Sequence, residues 1–207
     1  MMKKFIIIII CLQFSFVGFA QLLNGIDEIS QFHDGIAAVK KGNQWSFINE
    51  NGETIIPYRQ NFVLTKVMNE DLNTPGYYPV FMDGRCLIKK LINDIYYYGY
   101  IDTRGNEIIE PQYLNATNFK NGFAIVIAPS KDVIGYNEVL KKEVISSNIE
   151  EFVIDKTGKK VRYLENPIDY HLTKRKSKNP PVFRSKFVAP RRVAVQKKDK
   201  KWDIYEF

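Results

Sequence analysis

One short phrase occurs three times in this chain at a fixed spacing, and that spacing restricts the fold more than any single residue does. The copies are Ile48-Asn49-Glu50-Asn51-Gly52, Ile101-Asp102-Thr103-Arg104-Gly105 and Ile154-Asp155-Lys156-Thr157-Gly158. Gly52 and Gly105 are 53 residues apart, and so are Gly105 and Gly158. A constant period of this size is the signature of a repeat architecture, in which no single unit can bury its own apolar face.

The phrase has a local mechanism. An Asn or Asp side chain can accept a hydrogen bond from the backbone two residues on, which opens a turn. A glycine three positions later supplies the left-handed conformation that returns the chain into a strand with a bulge. Aromatic and β-branched residues precede each turn: Trp45, Phe47 and Ile48; Tyr98, Tyr100 and Ile101; Phe152, Val153 and Ile154. Apolar residues resume after it, at Ile55 and Ile56, Ile108 and Ile109, and Val161. Each copy therefore reads as a β-hairpin with alternate side chains on one face. In the first two copies Pro57 and Pro111 follow, read as the points where ladder pairing ends. Asn49, Gly52, Asp102, Gly105, Asp155 and Gly158 are expected to be structural turn residues.

A second phrase lies upstream of each turn: Phe32-His33-Asp34-Gly35-Ile36-Ala37-Ala38-Val39-Lys40-Lys41, then Phe81-Met82-Asp83-Gly84 and its continuation to Lys90, then Phe119-Lys120-Asn121-Gly122 and its continuation to Val126. A broken fourth copy runs from Val193 to Lys198 and on to Trp202. In these features, in this order, the chain resembles the WG repeat family, whose units read Phe-x-(Asp/Asn)-Gly, a Val-Lys strand, Trp-Gly-aromatic-Ile-Asp-x-x-Gly, then Val-Ile-x-Pro-x-Tyr. The signature dipeptide varies here: Trp45-Ser46, Tyr98-Gly99, Trp202-Asp203, and no aromatic at Glu150-Glu151. The resemblance implies a repeat scaffold and brings no catalytic residue or cofactor with it. The expected fold class is all-β: stacked antiparallel β-hairpin repeats, about three 53-residue units plus a partial C-terminal unit. The repeat domain is expected over 21–164, with 165–181 a linker and 182–207 a partial repeat or capping strand. The insertion 129–148 carries Val139, Leu140 and Val144, and fits a short helix or a further hairpin equally.

The first twenty residues have a different character. Lys3-Lys4 precedes an almost wholly apolar stretch from Phe5 to Phe19, and Gly18-Phe19-Ala20 offers small residues for cleavage. This stretch is short for a membrane span of roughly twenty residues. It reads as a secretory signal over 1–20, so the mature protein is expected in the periplasm, at the cell surface or secreted, with no transmembrane helix after cleavage. Cys11 would leave with it and lacks the small residues that lipidation requires before it. Only Cys86 then remains, so no internal disulfide can form and stability must come from packing. An apolar content of 45% with 14% aromatics is enough for that.

Charge is unevenly distributed. The chain carries +7, falling to +5 without Lys3 and Lys4, and residues 171–207 hold twelve Lys/Arg against three acids. The run Lys174-Arg175-Lys176-Ser177-Lys178 lies in a polar, proline-edged stretch that reads as a linker. Lys174, Arg175, Lys176 and Lys178 are the expected contacts for an anionic envelope component. Nucleic acid is not an expected partner, because the chain is exported and no stacking aromatics interleave the run.

Catalytic and metal signatures are weak throughout. A calcium loop needs oxygen ligands at alternate positions, where Arg104 and Lys156 stand instead. His33 and His171 are the two histidines, and nothing in the sequence brings either to Cys86. No phosphate loop, nucleophile elbow or paired-histidine motif occurs. Tyr98 and Tyr100 align with Trp45 and Phe47 as core residues, leaving Tyr96, Tyr97 and Tyr77-Tyr78 as candidate exposed rings. The expected protein is an exported, non-enzymatic interaction or structural module. The alternative is a glycan-directed protein that binds or hydrolyses through exposed aromatics and a carboxylate pair. The export reading predicts an exported species that begins near Gln21. Intact-mass measurement checks it, and a species retaining Phe5–Phe19 or lipidated at Cys11 would contradict it.

Overall fold

The computed structural model describes residues 23–69, 74–164, 168–169 and 179–207. Residues 1–20, read above as a signal, His171 and the Lys174–Lys178 run lie outside them. Among the described residues the secondary structure is all strand and turn. The first sheet runs β1 (Glu28–Ile29), β2 (Ile36–Lys41), β3 (Gln44–Asn49) and β4 (Thr54–Arg59), each antiparallel to the next. A two-stranded hairpin follows, β5 (Thr65–Asn69) and β6 (Thr74–Tyr78). The second sheet is β7 (Cys86–Ile92), β8 (Ile95–Ile101) and β9 (Glu107–Tyr113). The third is β10 (Asn115–Ala116), β11 (Phe123–Asn137), β12 (Lys142–Asp155) and β13 (Lys160–Tyr163), with β14 (Ile168–Asp169) also on β12. The last is β15 (Ser185–Ala189), β16 (Arg192–Gln196) and β17 (Trp202–Glu206).

The units superpose in logic. A short leading segment pairs with the first long strand of each: β1 with β2, Phe62 with Ile88 of β7, β10 with β11, and β15 with β16. Strand alternation then shares each middle sheet between two cores. Phe47 points forward into the core between the first and second sheets, Tyr100 into the next, and Val153 into the one after. Their neighbours point backward: Ile48 into the outermost cluster, Ile101 into the first core and Ile154 into the second. The first cluster is closed at its far side by Leu23, Ile26 and Tyr58. Period-two alternation normally gives one wet face; here both faces of the middle sheets are dry.

The insertion takes the hairpin alternative, as β11 and β12 lengthen into one antiparallel arm paired out to Asn137 and Lys142. Two expectations change in detail. The prolines do not end pairing. Beyond Pro57, Arg59 still pairs with Trp45, and beyond Pro111, Tyr113 pairs with Tyr98. Each proline sits beside a register shift, where a missing N–H interrupts nothing. The stretch read as a linker contributes β14, which pairs Ile168 with Ile149 across β12.

The turn glycines serve two purposes at once. Gly52, Gly105 and Gly158 have φ of 79°, 86° and 87°. A Cβ on Gly105 would lie 3.4 Å from Ile56 of the preceding unit, and one on Gly158 would lie 3.2 Å from the equivalent Ile109. Gly99 meets a stricter limit, since its Cβ would fall 2.4 Å from the Ile109 carbonyl oxygen and 2.6 Å from the Pro111 nitrogen. At the matching position Ser46 keeps its Cβ and donates a hydrogen bond from its hydroxyl to the Ile56 carbonyl, at 2.7 Å. Gly99→Ala is therefore expected to cost about 1–3 kcal/mol or more, exceeding the roughly 1 kcal/mol expected for Gly105→Ala. Urea unfolding of the two variants gives the order, and equal stabilities would refute the close approach.

Candidate functional site

Two ladders of turns run along one side of the stack. Register places them together: Ile36 pairs with Asn49, Cys86 with Ile101 and Phe123 with Asp155, so each strand starts where its partner finishes.

The second-strand turns are built alike in all three units. Gly52 donates its N–H to the Asn49 carbonyl at 3.0 Å, Gly105 to Asp102 at 2.9 Å and Gly158 to Asp155 at 2.9 Å. One side-chain oxygen of each Asx residue accepts two backbone N–H groups: Asn51 and Glu53 on Asn49, Arg104 and Asn106 on Asp102, Thr157 and Lys159 on Asp155. For Asp102, desolvation raises the pKa, but the hydrogen bonds from Asn106 and Arg104 and the Arg104 charge together bring it below the ordinary value. The Thr157 hydroxyl leads the same lowering at Asp155. One oxygen of each of these carboxylates is committed to the backbone. Among the described residues no three His, Cys, Asp or Glu side chains gather as a metal site.

The other ladder precedes the first long strands. His33 and Ile36 exchange two backbone hydrogen bonds across Asp34-Gly35, as Met82 and Arg85 do across Asp83-Gly84 and Lys120 and Phe123 across Asn121-Gly122. Both central residues of each turn have positive φ, from 53° at Asp34 to 84° at Gly122. That is the hairpin turn that Asn-Gly and Asp-Gly prefer. The units are then stapled to one another: the Asp34 carboxylate accepts the Gly84 N–H at 2.8 Å, and Asp83 accepts the Gly122 N–H at 2.7 Å.

Along this ladder lies a groove of about 730 Å³. His33, Asp34, Phe81, Asp83, Asn118, Phe119 and Asn121 line it from the three units, and Ser185 and Phe187 of β15 close it. The His33 ring lies nearly parallel to Tyr78, with centroids 6.4 Å apart. Asn118 donates its amide to the Thr65 hydroxyl at 2.9 Å. Among the described residues the His33 Nε2 and the Asn118 Oδ1 are buried without a hydrogen-bond partner, an arrangement that is uncommon in folded proteins.

The predicted turn residues Asn49, Gly52, Asp102, Gly105, Asp155 and Gly158 form their own ladder beside the groove and do not line it. Lys174, Arg175, Lys176 and Lys178 fall outside the described residues. Cys86 is buried in the first core, and burial pushes its thiol well above the ordinary range. Tyr100 is fully buried and donates its hydroxyl to the Thr117 carbonyl at 2.6 Å. Tyr96 and Tyr77 are exposed, whereas Tyr97 packs against Leu114, Ile127 and Ile149, because the third sheet covers that side of β8. The Asp34, Asp83 and Asn121 staples escaped the sequence reading. Their signal was the threefold Phe-x-Asx-Gly, but the copies stand 49 and 38 residues apart, and only the fold aligns them.

A family model described as WG containing repeat matches residues 26–45 and 98–127. These two stretches are similar to WG repeats. The second matched stretch begins at the Tyr98-Gly99 dipeptide, and its glycine is the residue that strand β9 approaches too closely for any side chain. No curated protein and no solved structure matches the chain. In the third unit, Glu151 stands at the position of Trp45 and Tyr98 and is nevertheless buried. It accepts the Arg184 N–H at 2.7 Å and a hydrogen bond from the Ser185 hydroxyl. A polar tie to the last sheet thus stands where Trp45 and Tyr98 supply apolar contact.

Asp83→Ala removes the acceptor for the Gly122 N–H. It is expected to lower stability by about 1–2 kcal/mol and to speed amide exchange at Gly122. Exchange followed by NMR checks this, and an unchanged Gly122 rate would show that the staple carries no load.

Proposed function

We propose that the protein is an exported, non-enzymatic interaction module of the cell envelope, and that the groove along the Asx-Gly ladder is its contact surface. The observation that carries this reading is the groove's composition. It spans residues from three repeats and the last sheet, with aromatic walls at Phe81, Phe119 and Phe187 among polar turn residues. Concave surfaces with a few convergent polar groups in an apolar lining are the common form of binding sites, and repeat stacks present them along their length. A ligand reaching Asn118 or His33 would also satisfy polar atoms that the described residues leave unpaired.

The glycan-directed alternative draws support from a smaller cleft of about 400 Å³, where Tyr96 stands beside Gln60, Asn61, Lys89 and Glu107. Its lining holds one carboxylate, whereas glycoside hydrolysis generally uses two, so this cleft favours binding over cleavage.

Photo-crosslinking in envelope preparations separates the two. A crosslinker at Lys120 is expected to trap one discrete partner that a crosslinker at Val161 does not. Equal capture at both positions removes the groove from consideration, and selective capture at Tyr96 transfers the function to the smaller cleft.

A further inference from the structure

We propose that the outer face of the last sheet docks on an anionic phospholipid surface. The argument is independent of the groove. At the opposite end of the stack, the outer face of the first sheet is covered by Leu23, Ile26 and Tyr58. The last sheet turns Val193, Val195, Phe187, Tyr205 and Phe207 inward to the third core. Alternation therefore sends Lys186, Ala194, Trp202 and Ile204 to the other side. Register joins three of them in one row, Lys186 to Ala194 to Ile204. On this face Ile204 is 66% exposed, Val188 47% and Trp202 46%, which is large apolar surface given to solvent.

The charge around this face selects the partner. The same alternation puts Arg192 and its register partner Glu206 on this face beside Lys186, and Lys198, Lys200 and Lys201 flank it with Asp199, five cations against two acids. Lys186 lies over the Trp202 ring with its Nζ 4.8 Å from the centroid. Lys198, Lys200 and Lys201 are exposed on the turn that leads directly into Trp202. A soluble polyanion would answer the lysines but leave Trp202, Ile204 and Val188 wet. A membrane interface answers both: indole and aliphatic groups settle at the headgroup boundary while the ammonium groups meet anionic headgroups.

Trp202 supplies the readout, because the other tryptophan, Trp45, is buried in the first core. The purified chain is mixed with vesicles of phosphatidylcholine, with and without phosphatidylglycerol. The expected result is co-sedimentation with the anionic vesicles alone, with a blue shift of emission that survives Trp45→Phe and is lost in Trp202→Phe. Ile204→Ser is expected to weaken binding. Lys198→Gln combined with Lys200→Asn should weaken it by roughly tenfold or more, asparagine being suited to the left-handed conformation that Lys200 holds at φ 67°. Neutralising Lys131 and Lys142 on the β11–β12 arm should change nothing, and circular dichroism of each variant confirms folding. Equal binding to neutral vesicles overturns the proposal. So does anionic binding that leaves Trp202 unshifted and disappears on neutralising Lys174, Arg175, Lys176 and Lys178. A blue shift that grows with protein concentration in the absence of vesicles would assign the face to a second copy of the chain.

Discussion

The stack depends on sheets whose two faces are both buried. A residue facing forward on β8, such as Tyr100, fills the second core, while its neighbour Ile101 fills the first. Neither core is complete without the unit beyond it. Burial of a large side chain contributes about 1.5–3 kcal/mol, and here that contribution is available only when adjacent units are folded. Cooperation between units is thus built into the alternation of single residues along one strand.

This arrangement explains which sequence positions tolerate change. The forward positions hold Phe47, Tyr100 and Val153, so bulk varies as each inter-sheet space demands. Gly99 cannot vary in the same way, because backbone occupies the space its side chain would need. Glu151 is the instructive exception. A buried carboxylate is costly unless its oxygens are satisfied, and the Arg184 N–H and Ser185 hydroxyl provide for that. The third unit therefore exchanges an apolar contact for a directional one, which holds the last sheet at a defined position.

Insertions are confined to places that leave the ladders intact. The β5–β6 hairpin enters between the leading segment and the Phe81 turn, and the β11–β12 arm extends past the end of the shared cores. Neither displaces the Asp34–Gly84 or Asp83–Gly122 staple. The groove, the smaller cleft and the basic apolar face of the last sheet are separate surfaces on one frame. Their charges and linings differ because each is built from different parts of the repeat.

The sequence by itself determined the period, the hairpins and the all-β class. It could do so because turn chemistry at Asn49, Asp102 and Asp155 is local, and because alternation is read from residues two apart. It also marked Cys86 and Tyr100 as core. Only the tertiary structure decided what depends on residues far apart in the chain. The Asx-Gly staples join positions whose spacing varies with the insertions, so no fixed period announces them. The strand pairing of the arm, the pairing of residues 168–169 with β12 and the inward turn of Tyr97 follow from which sheet lies alongside. Burial of Glu151 was illegible for the same reason: an acidic residue reads as exposed until the backbone N–H that satisfies it, thirty-three residues away, is brought to it.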